Sequence, residues 1–325
     1  MKKTFFAVLL AASLVSGAVA ADRKSHSVAR PDVVPFAPSP VHAFVDVKGI
    51  KETATKIFVS DAANDVVNIY NTKGKQLAQL TGFSEPQGLT TDAKGNLYVA
   101  NTGDSNILIY APPYTKKPKT LTDAGQYPVD VAVLDNGATI AVTNIISTSD
   151  GPGSVTFYSK YKQGKTISNS NWGRVYFEGY DADGNLYFDG ESTGGAVLVG
   201  EIAKGKKAIT TLTTSNSIEF PGGVQVNTKG EIAIDDQEGF AVYTYNAPKK
   251  GSLGKPVKTT DLTGSADPVS YTFISTDKDL WTADASDAAA NEFAYPKGGS
   301  AVSSIPVSGG EPIGVAIVPY QAPGK

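Results

Sequence analysis

Beyond about residue 46 the chain is written in short apolar runs separated by polar turns, and the runs follow one recurring plan. Gly88 to Asn101 reads GLTTDAKGNLYVAN, Glu178 to Gly190 reads EGYDADGNLYFDG, and Gly223 to Asp236 reads GVQVNTKGEIAIDD. Each is an apolar strand, an Asp/Asn-x-x-Gly turn and a second apolar strand. The glycine supplies the positive φ of a tight turn, so each segment predicts a β-hairpin. A third strand follows, closing on Tyr70, Tyr110, Tyr158, Tyr245 or Tyr295 in five of six units. Runs such as VDVAVL, Val129 to Leu134, are nearly continuous in apolar character, which predicts strands buried on both faces and very little helix.

The residues that open the units are Pro86, Pro128, Val175, Pro221, Pro268 and Pro312, at spacings of 42, 47, 46, 47 and 44. A period of that length with several short strands per unit marks propeller blades, whereas a sandwich carries no fixed period. The ends complete the count. Ile313 to Val318 is a first strand with no hairpin after it, and Lys56 to Asp61 is a second strand with none before it. Joined, they make one blade. The prediction is therefore an all-β, six-bladed β-propeller of four-stranded antiparallel blades, closed by the C-terminal strand pairing into the first blade.

The N-terminus obeys a different logic. Lys2 and Lys3, an apolar stretch from Phe5 to Val15 and the Ala18-Val19-Ala20 pattern predict a signal peptide over residues 1 to 20. Residues 21 to 45, with Pro31, Pro35, Pro38 and Pro40, read as a flexible leader, and 46 to 325 as one propeller domain. Loss of the two lysines would move the net charge from −3 to −5, which lacks the basic footprint of a nucleic-acid binder. With no cysteine there is no thiol for a lipid anchor or a disulfide. These features predict an exported monomer, periplasmic or secreted.

PQGLTTDAKGNLYVANTGDSNILIY, Pro86 to Tyr110, resembles an NHL repeat, with weaker copies from about Lys56 to Pro319. The resemblance implies an NHL-like propeller and says little about activity; gluconolactonase-like and streptogramin-lyase-like propellers are more distant relatives. Streptogramin-lyase-like propellers are expected to use histidine in the central site. Here the two histidines, His26 and His42, lie outside every blade.

Two functional readings follow. The first is a binding or interaction scaffold without a cofactor, engaging a small molecule, glycan or protein segment at the channel mouth. The turns into the first strands there carry Glu85, Tyr127, Arg174, Phe220, Asp267 and Glu311, with Trp172 nearby. The second, implied by the lactonase-like propellers, is a hydrolase dependent on calcium or another divalent cation. Its oxygen ligands would be Glu178 with Asn101, Asn144, Asp236 and Asp284, because a hard cation takes several converging oxygens. The position after each second strand is Asp61, Asn101, Asn144, Gly190, Asp236 or Asp284. An Asp or Asn there also bonds backbone N–H groups of the next turn, which accounts for the repeat without a cation. DADGN, Asp181 to Asn185, is read as a hairpin turn because it lacks the later glutamate of a calcium loop.

Departures from the repeat carry more information. The first strands align Leu89, Val131, Glu178, Val224, Thr272 and Val315, of which only Glu178 is charged. A carboxylate there needs a cation or hydrogen-bond donors, and Arg174, four residues earlier, is the nearest candidate in sequence. Asp189 and Asp235, standing where other units have Ala100 and Ala283, deviate in the same way.

Overall fold

The computed structural model describes residues 44–45, 55–134, 137–273 and 277–324. The predicted signal peptide and most of the leader lie outside the described residues. Six sheets form the ring, and each is antiparallel through its first four strands. Taken from the inside outwards, blade 2 is built from Pro86–Thr91, Leu97–Asn101, Asn106–Tyr110 and Lys119–Thr122. The inner strands of blades 3 to 6 are Gln126–Leu134, Trp172–Tyr180, Pro221–Val226 and Pro268–Phe273. Neighbouring inner strands touch all the way round, with Pro312–Val318 of blade 1 lying between those of blades 6 and 2.

The ring closes as the sequence predicts. Pro312–Val318 is the inner strand of blade 1 and pairs antiparallel with Lys56–Asp61, from Lys56 opposite Val318 to Asp61 opposite Pro312. The boundary of the leader moves, however. Phe44–Val45, read from sequence as leader, add an outer strand to blade 1 opposite Leu80 and Gln79. Two further edges are covered by parallel strands: Ser252–Gly254 beside Thr210–Thr214 on blade 4, and Gly299–Ser300 beside Lys258–Thr263 on blade 5. Each comes from the following blade, so the cover also ties neighbours together and removes unpaired strand groups.

Burial lies between the blades. One cluster joins Phe58, Val67 and Ile69 of blade 1 to Leu89, Leu97 and Val99 of blade 2. Another joins Trp172 and Phe188 of blade 4 to Ala132, Ala141 and Val155 of blade 3. The third-strand tyrosines Tyr70, Tyr110, Tyr158, Tyr245 and Tyr295 are all buried, as core spacing requires. The Asp/Asn-x-x-Gly turns form as predicted. Asp92 Oδ1 accepts from Lys94 N and Asn96 N at 2.9 Å each, and Asp181 and Asn227 repeat the pattern on Asn185 N and Glu231 N.

The chain after Val318 crosses the far end of the channel. Gln321 bonds Asp277 beside blade 6, Gly324 N reaches Asn227 O of blade 5 at 2.8 Å, and Ala182 N of blade 4 reaches Gly324 O at 3.2 Å.

Deleting Ile313 to Lys325 removes the inner strand of blade 1 together with buried Ile313, Val315 and Ile317. Each such side chain contributes about 1.5–3 kcal/mol. Their sum approaches the whole stability of a domain, about 5–15 kcal/mol. The expected result is loss of a cooperative thermal transition by circular dichroism. A truncated chain that melts cooperatively near the parent temperature would show that closure is dispensable.

Candidate functional site

The inner strands share a local defect that sets up the channel. In every blade, two residues near the start of the inner strand oppose one residue of the second strand. In blade 1, Ile313 and Gly314 face Ser60; in blade 4, Tyr176 and Phe177 face Asp189; in blade 5, Gly222 and Gly223 face Asp235. Blades 2, 3 and 6 place Ala100, Thr143 and Ala283 there. Such a bulge frees backbone groups that need partners. Ser60 Oγ accepts from Gly314 N at 2.7 Å and donates across to Gln87 O of blade 2 at 2.6 Å. Thr143 Oγ1 donates to Tyr176 O of blade 4. Asp189 Oδ1 accepts from Phe177 N at 3.0 Å. Where it is Ser60, Thr143 or Asp189, the residue opposite the bulge therefore binds its own inner strand or the next blade.

The register also corrects one alignment. In blade 6 it is Tyr271, opposite Thr282, that matches Leu89, Val131, Glu178, Val224 and Val315, whereas Thr272 pairs with Trp281 one step on.

One residue further along the second strand stands the repeated Asp/Asn, and it serves the backbone. Asp61 Oδ1 accepts from Glu311 N at 3.0 Å, and Asn101 Oδ1 from Ser84 N at 2.7 Å. Asp236 Oδ1 takes Glu219 N, Phe220 N and Gly239 N, while Asp284 takes Ala266 N, Asp267 N and Asp287 N. Asn144 differs: its amide donates to Ser154 Oγ and Thr156 Oγ1. In blade 4 the position is Gly190, where a side chain would run into Arg174 O. The oxygens of Asn101, Asp236 and Asp284 thus turn to the approach of their own inner strands. They do not fit a shared cation with Glu178, and among the described residues no group of three His, Cys, Asp or Glu could hold a metal ion.

Glu178 is 2% exposed and lies where blades 1, 2, 3 and 5 pack Val315, Leu89, Val131 and Val224. Its Oε1 accepts from Thr143 N of blade 3 at 3.0 Å, its own N–H is given to Asp130 Oδ2 at 3.2 Å, and its Oε2 is buried without a partner. Arg174 is not its counter-ion. The bulge between Val175 and Glu178 separates them, and Arg174 instead meets Glu191 and the Tyr176 hydroxyl at 3.3 Å. Among the described residues no cation is paired with the carboxyl. Burial, and then Asp130, hold Glu178 well above the usual carboxylate range.

Asp130 is a site residue the repeat had hidden. It takes the place of the glycine in the Pro-x-Gly opening, as Pro128-Val129-Asp130, so the rule that pointed to Glu178 would also have found it. Burial pushes it up to about 7 against the donors Val131 N and Glu178 N. Asp189 and Asp235 are fully buried and also raised well above the usual range by burial. Asp189 Oδ2 and both oxygens of Asp235 have no partner. Together these groups form a belt of buried carboxyls from blade 3 to blade 5, each shifted upward by burial.

The seven predicted mouth residues and Glu178, also predicted to bind ligand, are not one surface. Trp172 is fully buried in the cluster between blades 3 and 4, 5.0 Å from Phe188, with its Nε1 donated to Thr211 Oγ1 at 3.3 Å. The inner strand of blade 4 begins at Trp172, three residues before Val175, so this indole is strand core and does not reach the mouth. Glu178 lies deeper in the same interface. Tyr127, Phe220 and Asp267 are buried at the strand starts, with the Phe220 ring 5.9 Å from Tyr176. Glu85 (φ 50°) and Glu311 are partly exposed turn residues whose N–H groups go to Asp65 and Asp61. Arg174, with a 45% exposed side chain, is the most accessible charge of the set.

A concave site lies instead at the opposite end of blades 3 and 4, where the inner strands finish. It is a groove of about 390 Å³. Leu134, Phe157, Ile167 and Ile202 give it an apolar floor continuous with the cluster between the blades. Lys165 rises from the outer strand of blade 3, and Lys204, Lys206 and Lys207 from the turn after the third strand of blade 4. Gly205 (φ 74°) makes that turn, closed by Lys206 N bonding Ala203 O at 2.8 Å. The ring of Tyr180 lines both this groove and the channel cavity that holds Asp130 and Glu178. Sequence reading missed the groove because its lysines sit in non-repeating turns and its floor belongs to two blades.

Solved structures with the same fold bear on its class. The chain superposes on a chain of the nidogen/laminin complex with TM-score 0.68 at 15% identity, covering 82% of this chain and 100% of that one. A protein of unknown function from Bacteroides caccae matches with TM-score 0.63 at 10% identity, over 82% and 99% of the two chains. A catalytically inactive virginiamycin B lyase from Staphylococcus aureus, solved with quinupristin, matches with TM-score 0.55 at 12% identity, over 82% and 88%. At such identities the likeness is one of fold, and it defines the chain as a β-propeller that includes streptogramin-lyase-like forms among its structural neighbours. No protein-family profile matches it. Among curated proteins it is 28% identical over 138 residues to endothiapepsin of Cryphonectria parasitica, a stretch covering 38% of this chain and 32% of that relative's length.

Two outcomes follow. Asp284→Ala leaves three backbone N–H groups without their acceptor, at about 1–3 kcal/mol for each buried group left unsatisfied. Its urea midpoint is expected to fall by more than that of Asn144→Ala, which holds no backbone donor; equal shifts would contradict the capping role. The second concerns pH. Acids with raised folded-state pKa values bind more protons folded than unfolded, so their contribution is complete below about pH 4 and fades as pH rises through the folded values. With Asp130 at about 7 and Asp123, also lifted by burial, at about 6, stability should decline between pH 4 and pH 7. Urea melts across that window should show it, and Asp130→Asn should flatten the slope.

Proposed function

We propose that the chain acts as an exported binding scaffold that holds a ligand without transforming it. The observation that carries this reading is the groove between blades 3 and 4, where an apolar floor and a one-signed charged rim meet in a cavity of about 390 Å³. Small-molecule sites have this form: concave, mainly apolar and oriented by a few polar groups. The polar groups of the channel support the same reading from the other side. Asp61, Asn101, Asp236 and Asp284 serve the backbone, and burial shifts the carboxyls of the belt well above the usual range.

A hydrolase would need oxygens free to converge on a cation or a reacting atom, and the repeated Asp/Asn positions are engaged elsewhere. The propeller itself leaves both activities open, so the site must decide. A panel of metabolites, glycans and lactones screened by thermal shift on the mature chain tests the reading. A hit is expected to raise the melting temperature, in the presence or absence of chelator, and to be recovered unchanged by mass spectrometry. Turnover of the stabilising compound, or abolition of all stabilisation by chelator, would overturn it.

A further inference from the structure

We infer that the groove between blades 3 and 4 binds a single amphipathic anion, an aliphatic or aromatic body ending in a carboxylate, with the body on the floor and the head at the lysine rim. This inference rests on the scaffold reading above and names its ligand class.

The charge is the first ground. The chain carries a net charge of −3, yet the groove lining holds four lysines and no carboxylate. None of the four takes part in an ion pair among the described residues. Asp181 is held nearby in its own turn by Asn185 and Tyr187, and Asp183 stands exposed beyond it. Ammonium groups brought together in this way repel one another, and an anion at the rim relieves that repulsion. Lysine stems also cover apolar surface while their heads stay in water; the Lys204 stem lies close over Gly184 at the groove wall.

The floor is the second ground. Leu134 and Phe157 are only partly buried, although they belong to the cluster between the blades, so covering them removes apolar area from water. Tyr180 is 6% exposed, and its hydroxyl has no partner. The shape decides between a free molecule and a lipid surface. The apolar groups lie at the bottom of a depression, and the exposed large hydrophobic residues among the described residues, Val257 and Val302, are elsewhere in the chain. A membrane-docking face would have to project such groups outward. The groove accepts one molecule of limited size.

The test is isothermal titration of the full mature chain with monomeric dodecanoate, dodecyltrimethylammonium and acetate. Dodecanoate is expected to bind at one site, dodecyltrimethylammonium at least tenfold more weakly, and acetate not measurably. Lys206→Glu with Lys207→Glu should weaken dodecanoate at least tenfold at unchanged melting temperature. The same reversal at exposed Lys255 and Lys297 should leave binding intact. Equal binding of the two long-chain probes, or an unaffected groove variant, overturns the inference. Flotation with anionic vesicles without binding of monomeric dodecanoate would also overturn it, in favour of a lipid surface. If dodecanoate fails but another compound from the screen binds unchanged, the ligand class falls and the scaffold reading stands. If dodecanoate binds and is chemically altered, the groove stands and the scaffold reading falls.

Discussion

Six inner strands have to share one axis, and the crowding there governs most of the chemistry in this molecule. Around the ring these strands meet backbone to backbone. A side chain at Gly314 would collide with Gln87 O, one at Gly179 with Val224 O, and one at Gly88 with the Asp130 side chain. Glycine at these places is a requirement of distance between chains. Where blades 3 and 4 carry Asp130 and Phe177 in place of the glycine of Pro-x-Gly, the ring is locally different. That is where Glu178 and Asp130 lie against each other.

The same crowding explains the bulge in every blade and what stands opposite it. An inner strand packed this tightly cannot send its freed N–H and C=O groups to water, so the second strand or the neighbouring blade must receive them. Ser60 does both tasks with one hydroxyl, accepting from Gly314 and donating to Gln87. Ala100 and Ala283 do neither. Asp189 and Asp235 occupy the equivalent place, and an ionised carboxylate could only accept. A carboxyl kept protonated by burial can accept on one oxygen and donate from the other, as Ser60 does. Asp189 accepts from Phe177 N on one oxygen, and its second oxygen lies buried without a hydrogen-bond partner.

Much of this was legible in the sequence because it repeats. The spacing of Pro86, Pro128, Pro221, Pro268 and Pro312 reveals the blades, and the unmatched strands at Lys56 and Ile313 reveal the closure, since both follow from local patterns copied around a ring. The ring of Asp and Asn was visible too, along with its simpler explanation in backbone capping. Trp172 was misplaced because a bulge and an early strand start alter which way a side chain faces, and neither changes the apolar pattern. Asp130 was overlooked because charged residues stand out at the aligned positions of Glu178 and of Asp189 and Asp235, whereas at Asp130 the signal is the loss of a glycine. The groove could not be read at all. Its floor joins Leu134 and Phe157 of blade 3 to Ile202 of blade 4, residues brought together by packing between blades.

The two ends of the channel have therefore been given different work by the same architecture. Where the inner strands begin, bulges and capping side chains lock each loop to a neighbour, and polar atoms are committed to backbone partners. Where they end, the constraint relaxes: the turn at Gly205 carries lysines, and the tail from Tyr320 to Gly324 crosses the opening. A rigid ring favours recognition at such a place, because a preformed floor needs little ordering when a ligand arrives. Tyr180 connects the two regions. Its ring separates the lysine-rimmed groove from the cavity of Asp130 and Glu178, and the nearby Glu178, after burial, keeps its hydroxyl protonated.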